Sequence, residues 1–270
     1  MATFETTSGN TIYYEEHGEG EPLLCVHGLA TDTLGWALQV PTFSQGYRTV
    51  VFDNRDVGQS AMVEGTYEVA DMARDALEVA DAAGFESFHL VGISMGGAIA
   101  QEVALAAPDR IRTLTLTVTF ARGGAWGREL ARVWSDRVRA VPREHHIDEL
   151  LLLNLSEEFF EDPAQVEFAR NLFLQNPNPQ DPEAFARQLH ASARHDALDR
   201  LPSLSMPVHV IAGEHDILVP VWRSEEIADV IPGSRFTVIE KAPHGLNFER
   251  AEEYNKLVLG FIAEHEPATV

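Results

Sequence analysis

Short β-type runs alternate with amphipathic helical patterns along this 270-residue chain, and that alternation constrains the fold more than any other feature. Thr11 to Glu15, Pro22 to Val26, Thr49 to Phe52, residues 86–91, Leu114 to Val118, Val208 to Ile211 and Phe236 to Ile239 predict strands. Helices are expected over Val69 to Ala83, residues 95–107, Val221 to Ile231 and Ala251 to Glu264, with a short one within Asp32 to Phe43. Over Val69 to Ala83 the apolar positions Val69, Met72, Ala73, Ala76, Leu77, Val79 and Ala80 share one face, and Gly84 ends the pattern. Such alternation implies a mainly parallel sheet covered by helices on both faces.

The alternation stops between about Ala121 and Leu201, where helical patterns follow one another. Leu130, Val133, Trp134 and Val138 fit one helix; Leu150 to Leu155 with Phe159 and Phe160 fit another. Val166, Phe168, Ala169, Leu172 and Phe173 fit a third, and Phe185, Leu189 and Ser192 a fourth, with breaks at Pro163, Asn176-Pro177-Asn178-Pro179 and Pro182. The expected organisation is therefore an α/β core of residues 1–120 and 202–270 carrying a helical lid over 121–201, whose Trp and Phe side chains pack mainly among themselves. No repeat or low-complexity tract interrupts it.

Formal charge is −22, which argues against nucleic acid or an anionic membrane as partner. Lys241 and Lys256 are the only lysines. Carboxylate excess with scarce lysine suits adaptation to high salt, where screening offsets self-repulsion; the alternative is an ordinary acidic protein that favours arginine. With no basic leader and no apolar run long enough to span a bilayer, the chain reads as soluble and cytoplasmic. Cys25, the single cysteine, excludes an intramolecular disulfide and sits in an apolar run that reads as buried and structural.

Chemistry enters at Gly92-Ile93-Ser94-Met95-Gly96-Gly97, which places a serine where a strand turns sharply into a helix. A Gly-x-Ser-x-Gly pattern alone can be a packing turn, so its context decides. A turn of this kind holds the serine at positive φ, and side chains at Gly92 or Gly96 would strike the returning helix. A serine hydroxyl needs a base, a group that orients the base, and donors for the developing oxyanion. Each follows another strand. Asp216 follows strand 208–211, His244 follows strand 236–239, and His27-Gly28-Leu29 follows strand 22–26. Ser94 is the candidate nucleophile, His244 the base and Asp216 its orienting acid. Glu214 competes with Asp216 but lies nearer the strand end, and no carboxylate stands at Thr119-Phe120-Ala121, the other position an acid could occupy. The N–H groups of Leu29 and Met95 are the candidate oxyanion donors, each worth about 3–4 kcal/mol of transition-state stabilisation. Gly28, Phe120, Trp126, Val219 and Leu246 are expected to contact substrate. His27 is expected to be structural. The remaining histidines lack metal-ligand spacing and no phosphate or dinucleotide fingerprint occurs, so neither metal nor cofactor is expected.

These segments, together with Asp53-Asn54-Arg55-Asp56-Val57-Gly58-Gln59-Ser60, resemble the α/β-hydrolase superfamily over nearly the whole chain. The resemblance implies an eight-stranded, mainly parallel sheet with an inserted helical lid, and a Ser, acid, His order of catalytic residues. Asp56 stands where the family's D-x-R-G-x-G-x-S loop has its first glycine. Haloalkane dehalogenases and epoxide hydrolases of this fold use an aspartate nucleophile, and epoxide hydrolases use lid tyrosines; Ser94 and a tyrosine-free 121–201 stretch disfavour both. Proline iminopeptidases carry H-G-G-P-G where this chain has His27-Gly28-Leu29-Ala30-Thr31. What remains is similar to the carboxylesterase, enol-lactonase and cofactor-free haloperoxidase-like group. That group implies hydrolysis of a small to medium ester or lactone by water, with C–C cleavage of vinylogous diketones on the same triad, or noncatalytic ligand binding, as the alternatives.

Overall fold

A computed structural model describes residues 1–266. In chain order its elements are β1 (Ala2–Glu5), β2 (Thr11–His17), β3 (Glu21–Val26), α1 (Val40–Phe43), β4 (Tyr47–Phe52), α2 (Val69–Ala82), β5 (Phe88–Ile93), α3 (Met95–Ala106) and β6 (Ile111–Thr117). Then come α4 (Gly124–Ala140), α5 (Arg143–Asn154), α6 (Glu157–Phe160), α7 (Pro163–Leu174), α8 (Pro182–Arg194), β7 (Val208–Gly213), α9 (Val221–Val230), β8 (Arg235–Ile239), α10 (Leu246–Glu249) and α11 (Ala251–Glu264).

The eight strands form one sheet in the order β1-β2-β4-β3-β5-β6-β7-β8. Only β1/β2 and β2/β4 pair antiparallel; the rest are parallel. Period-2 alternation sorts the side chains of each central strand to opposite faces. Leu24 and Val26 of β3 join Leu90, Leu114 and Val210 in a core under α2, α3 and α9. Leu23 and Cys25 join Val91, Ile211 and Ile239 in a second core under α1 and α11. The central strands β3 and β5 are buried on both faces, which is why they read as nearly continuous apolar runs, whereas β6 alternates Thr with Leu and the edge strand β8 is partly exposed.

Some boundaries differ from the sequence expectation. β1 is not among the expected strands because it is a four-residue edge strand, largely solvent-exposed, too short for its alternation to mark it. The expected helix within Asp32 to Phe43 is a 3₁₀ turn over Thr33–Trp36 followed by the single turn α1. The expected helix joining Leu150 to Phe160 is split into α5 and α6, since Ser156 leaves helical geometry and its hydroxyl caps the Phe159 N–H.

Helices α4 to α8 stand between β6 and β7, where the alternation stops. Ala131, Val138, Phe185, Leu189 and Ala193 pack α4 on α8 and reach Leu29 and Ala30 of the core. Ile147, Leu151, Phe159 and Ala169 form a separate small cluster that touches Phe248. Not every aromatic is interior: Trp126 is 55% and Phe168 64% exposed.

Candidate active site

The site is assembled from loops at the carboxyl ends of β3, β5, β7 and β8. Ser94 closes β5 and opens α3 with φ +56° and ψ −122°, a left-handed backbone that costs a non-glycine residue about 1–3 kcal/mol. Packing on both sides holds it there. A side chain on Gly92 would overlap the Gly96 carbonyl, as the sequence suggested. One on Gly96 would overlap the carbonyls of Val26 and His27 instead, so β3 rather than the returning helix sets that limit.

The His244 Nδ1–H donates to Asp216 Oδ2 at 2.7 Å, which leaves Nε2 to accept from the Ser94 hydroxyl at 3.0 Å. Asp216 is itself fixed: its Oδ1 accepts the N–H groups of Leu218 and Val219 at 2.9 and 2.8 Å. Asp216 and His244 are both 5% exposed, so the relay lies in a weakly screened environment. Glu214 is exposed and turned elsewhere, accepting the Lys241 N–H at 2.8 Å. Gly245 N donates to the Asn154 carbonyl at 2.7 Å, tying the His244 loop to the end of α5.

The backbone at Gly28 lies against the Ser94 side chain. Met95 is the first residue of α3, and neither its N–H nor that of Leu29 meets a protein acceptor among the described residues. Both residues line the same cavity as Ser94 and His244. A helix N-terminus adds positive potential where a carbonyl oxygen would gain charge. His27 also lines the cavity, but burial, with His244 adding to it, pushes its pKa down to about 3. A neutral His27 accepts the Gly28 N–H on Nδ1 and packs edge-on against Trp36.

Of the expected substrate contacts, Gly28, Phe120, Trp126 and Val219 line this cavity. Leu246 does not: it is wholly buried with Trp36 and Tyr254 in the core beneath α11, because α10 turns its side chain inward directly after the His244 loop. Sequence reasoning missed the apolar wall formed by Leu130, Trp134, Leu150 and Leu189, and the polar Asn154 and Arg223. Helical periodicity flags the first four as core but cannot say which cavity their face adjoins. Arg223 stacks on Trp126 and Trp222 and donates to the Arg122 carbonyl, and it pairs with no carboxylate among the described residues. Its burial lowers its pKa. Asp53, 1% exposed, accepts the N–H groups of Thr33 and Gln59, and burial raises its pKa to about 6. With the buried Arg55–Asp75 pair it braces the loop after β4. Among the described residues no group of three His, Cys, Asp or Glu side chains could hold a metal, and no helix is long and apolar enough to cross a membrane.

Known proteins resemble this chain along almost its full length. An esterase from Thermogutta terrifontis, solved with malate bound, is 30% identical, with a TM-score of 0.87 over 98% of this chain and 99% of that one. A 3-oxoadipate enol-lactonase from Acinetobacter baylyi is 28% identical over 258 residues, 94% of each chain. A protein of Azorhizobium caulinodans named for carbamate hydrolysis is 28% identical over 255 residues, 94% of this chain and 95% of its own. The family model described as the alpha/beta hydrolase fold matches residues 21–251. With the sheet, its helical insertion and these matches in agreement, the chain belongs to the α/β-hydrolase family of enzymes.

Proposed function

We propose that this hydrolase cleaves small to medium carboxylic esters, lactones included, through an acyl-enzyme on Ser94. The observation that carries the reading is the Ser94–His244–Asp216 hydrogen-bond chain facing two acceptor-free amides across an apolar cavity. As Ser94 Oγ attacks the carbonyl carbon, His244 Nε2 takes its proton and Asp216 stabilises the imidazolium. The oxyanion accepts hydrogen bonds from Leu29 and Met95, each worth about 3–4 kcal/mol at the transition state. His244 then returns the proton to the leaving alkoxide, and a water deprotonated by His244 releases the acid and regenerates Ser94.

Residues 121–201 act as the lid in this reading, with Trp126, Leu130, Trp134 and Leu189 as the wall that takes the apolar part of the substrate. Arg223 is a cation in that wall, so a net charge of −22 does not bar an ester with a distant carboxylate. The esterase and enol-lactonase relatives support an ester or lactone substrate.

The test is a panel of acetyl to octanoyl aryl esters, simple lactones and a vinylogous diketone. Ester turnover that falls at least about a thousandfold in His244→Ala supports the reading. A diketone consumed faster than every ester and lactone, or a His244→Ala variant of unchanged rate, refutes it.

A further inference from the structure

The oxyanion loop carries a residue whose backbone does not hold itself. Ala30 has φ +60°, in the left-handed region that a non-glycine residue leaves unless its neighbours retain it. What retains it comes from the helical insertion. The Ala30 N–H donates to Gln188 Oε1 at 3.1 Å across 158 residues of sequence. Gln188 is 0% exposed and its carboxamide is held at both ends: Oε1 also accepts from Gln180 Nε2 at 2.9 Å, and Nε2 donates to the Arg55 carbonyl at 2.8 Å.

The preceding residue of α8 is anchored independently. Arg187 donates through Nε and Nη2 to both oxygens of Asp56, at 2.8 and 2.7 Å, and the Asp56 carboxylate also accepts the Val63 N–H and the Tyr67 hydroxyl. Asp56 is a second left-handed non-glycine residue, at φ +70°. Gln180 Nε2 donates to its carbonyl as well, at 2.9 Å. A bidentate pair of this kind, its carboxylate fully buried, fixes direction as well as distance. So α8 cannot shift along the core without dragging Gln188.

We infer that Gln188 is a positioning residue for the oxyanion hole, with the Arg187–Asp56 pair setting its place. The bond to Ala30 fixes the plane of the Leu29–Ala30 peptide and thereby constrains the adjoining Gly28–Leu29 peptide, whose N–H is the proposed donor. Gln188 touches no reacting atom; it acts through the loop. The assignment rests on the acyl-enzyme reading above.

The test compares Gln188→Met, which removes both hydrogen-bonding ends, with Gln188→Glu, whose carboxyl, in its neutral form, keeps an acceptor for the Ala30 N–H and a donor for the Arg55 carbonyl, the two being assayed at about pH 6. Aryl butyrate kinetics are read beside the affinity of butylboronic acid, which forms a tetrahedral adduct on Ser94 and places an oxygen where the oxyanion would sit. The expected result for Gln188→Met is a kcat at least about tenfold lower, KM within about twofold, and boronate affinity lowered by the same factor as kcat. Gln188→Glu recovers most of that loss. Unchanged kcat and boronate affinity in Gln188→Met, a loss carried by KM alone, or equal losses in the two variants overturns the assignment. Should Gln188→Met not fold, Gln180→Leu replaces it: a matched two- to fivefold loss supports the assignment and unchanged values overturn it. Active wild-type enzyme with an unaffected variant defeats the Gln188 role alone; wild-type enzyme that neither turns over an ester nor binds the boronate defeats the acyl-enzyme reading and this role together.

Discussion

Acidification from pH 7 to pH 5 should destabilise this protein through buried histidines that resist protonation in the fold. His89 and His209 lie on central strands, each 1% exposed and hydrogen-bonded through one ring nitrogen to Thr113 or Thr237. Burial, reinforced by Arg112 near His89 and Arg235 near His209, pushes both pKa values down to about 4. His27 lies at about 3, again chiefly through burial. All three are depressed below the free value, so between these limits the unfolded chain binds more protons than the folded one. Their stabilising effect is complete above the free value of about 6.5 and is lost as pH falls toward the folded values. From pH 7 to 5 each strand histidine forfeits about 2 kcal/mol, and His27 adds up to about 2 more. Asp53, raised to about 6, works the other way, since acid protonates it in the fold first; it restores about 1 kcal/mol over the same range. The net loss of roughly 4–5 kcal/mol is a large part of the roughly 5–15 kcal/mol that holds a domain together. Urea unfolding at pH 7, 6 and 5 at constant ionic strength measures it. His209→Leu should shrink the pH 7-to-5 difference by about 2 kcal/mol, whatever its effect at pH 7. Equal wild-type stability at pH 7 and pH 5, or an undiminished difference in His209→Leu, would refute the reasoning.

Asp216→Asn should lower kcat for aryl esters by about 10⁴, whereas Glu214→Gln should leave it within about twofold; a comparable loss in the two would reverse the choice of acid. Arg223→Met should remove any preference for a hemisuccinate or hemiglutarate aryl ester over its neutral methyl ester, and an unchanged ratio of kcat/KM would show that this cation does not face the substrate. If the charge of −22 reflects salt adaptation, melting temperature should rise by roughly 5 °C or more between low salt and molar potassium chloride, and a flat response would end that reading.

The sheet was legible because its strands are short apolar or alternating runs and several of its helices amphipathic, so the two periods stand apart along the chain. The positions of Ser94, Asp216 and His244 were legible for a related reason: each stands at or within five residues of a strand's carboxyl end, and parallel strands deliver those ends to one rim. Leu246 was misplaced because proximity in sequence to His244 says nothing of which way a four-residue helix turns its side chains. Gln188 and Arg223 left no signal at all. Both make contacts with residues about a hundred or more positions away, Gln188 with Ala30 and Arg223 with Arg122 and Trp126, and helical periodicity specifies a face but not what the face meets. The aspartate at 56 was visible as a departure from the family loop, yet only the structure relates it to Arg187.

Fluorophosphonate labelling followed by peptide mapping tests the central claim most directly, because only an activated serine hydroxyl displaces fluoride at an appreciable rate. Folded wild-type protein should carry one adduct, on Ser94, that is absent from heat-denatured protein and from Ser94→Ala. Folded protein without an adduct at Ser94, or labelled at another residue while still hydrolysing esters, would contradict the account.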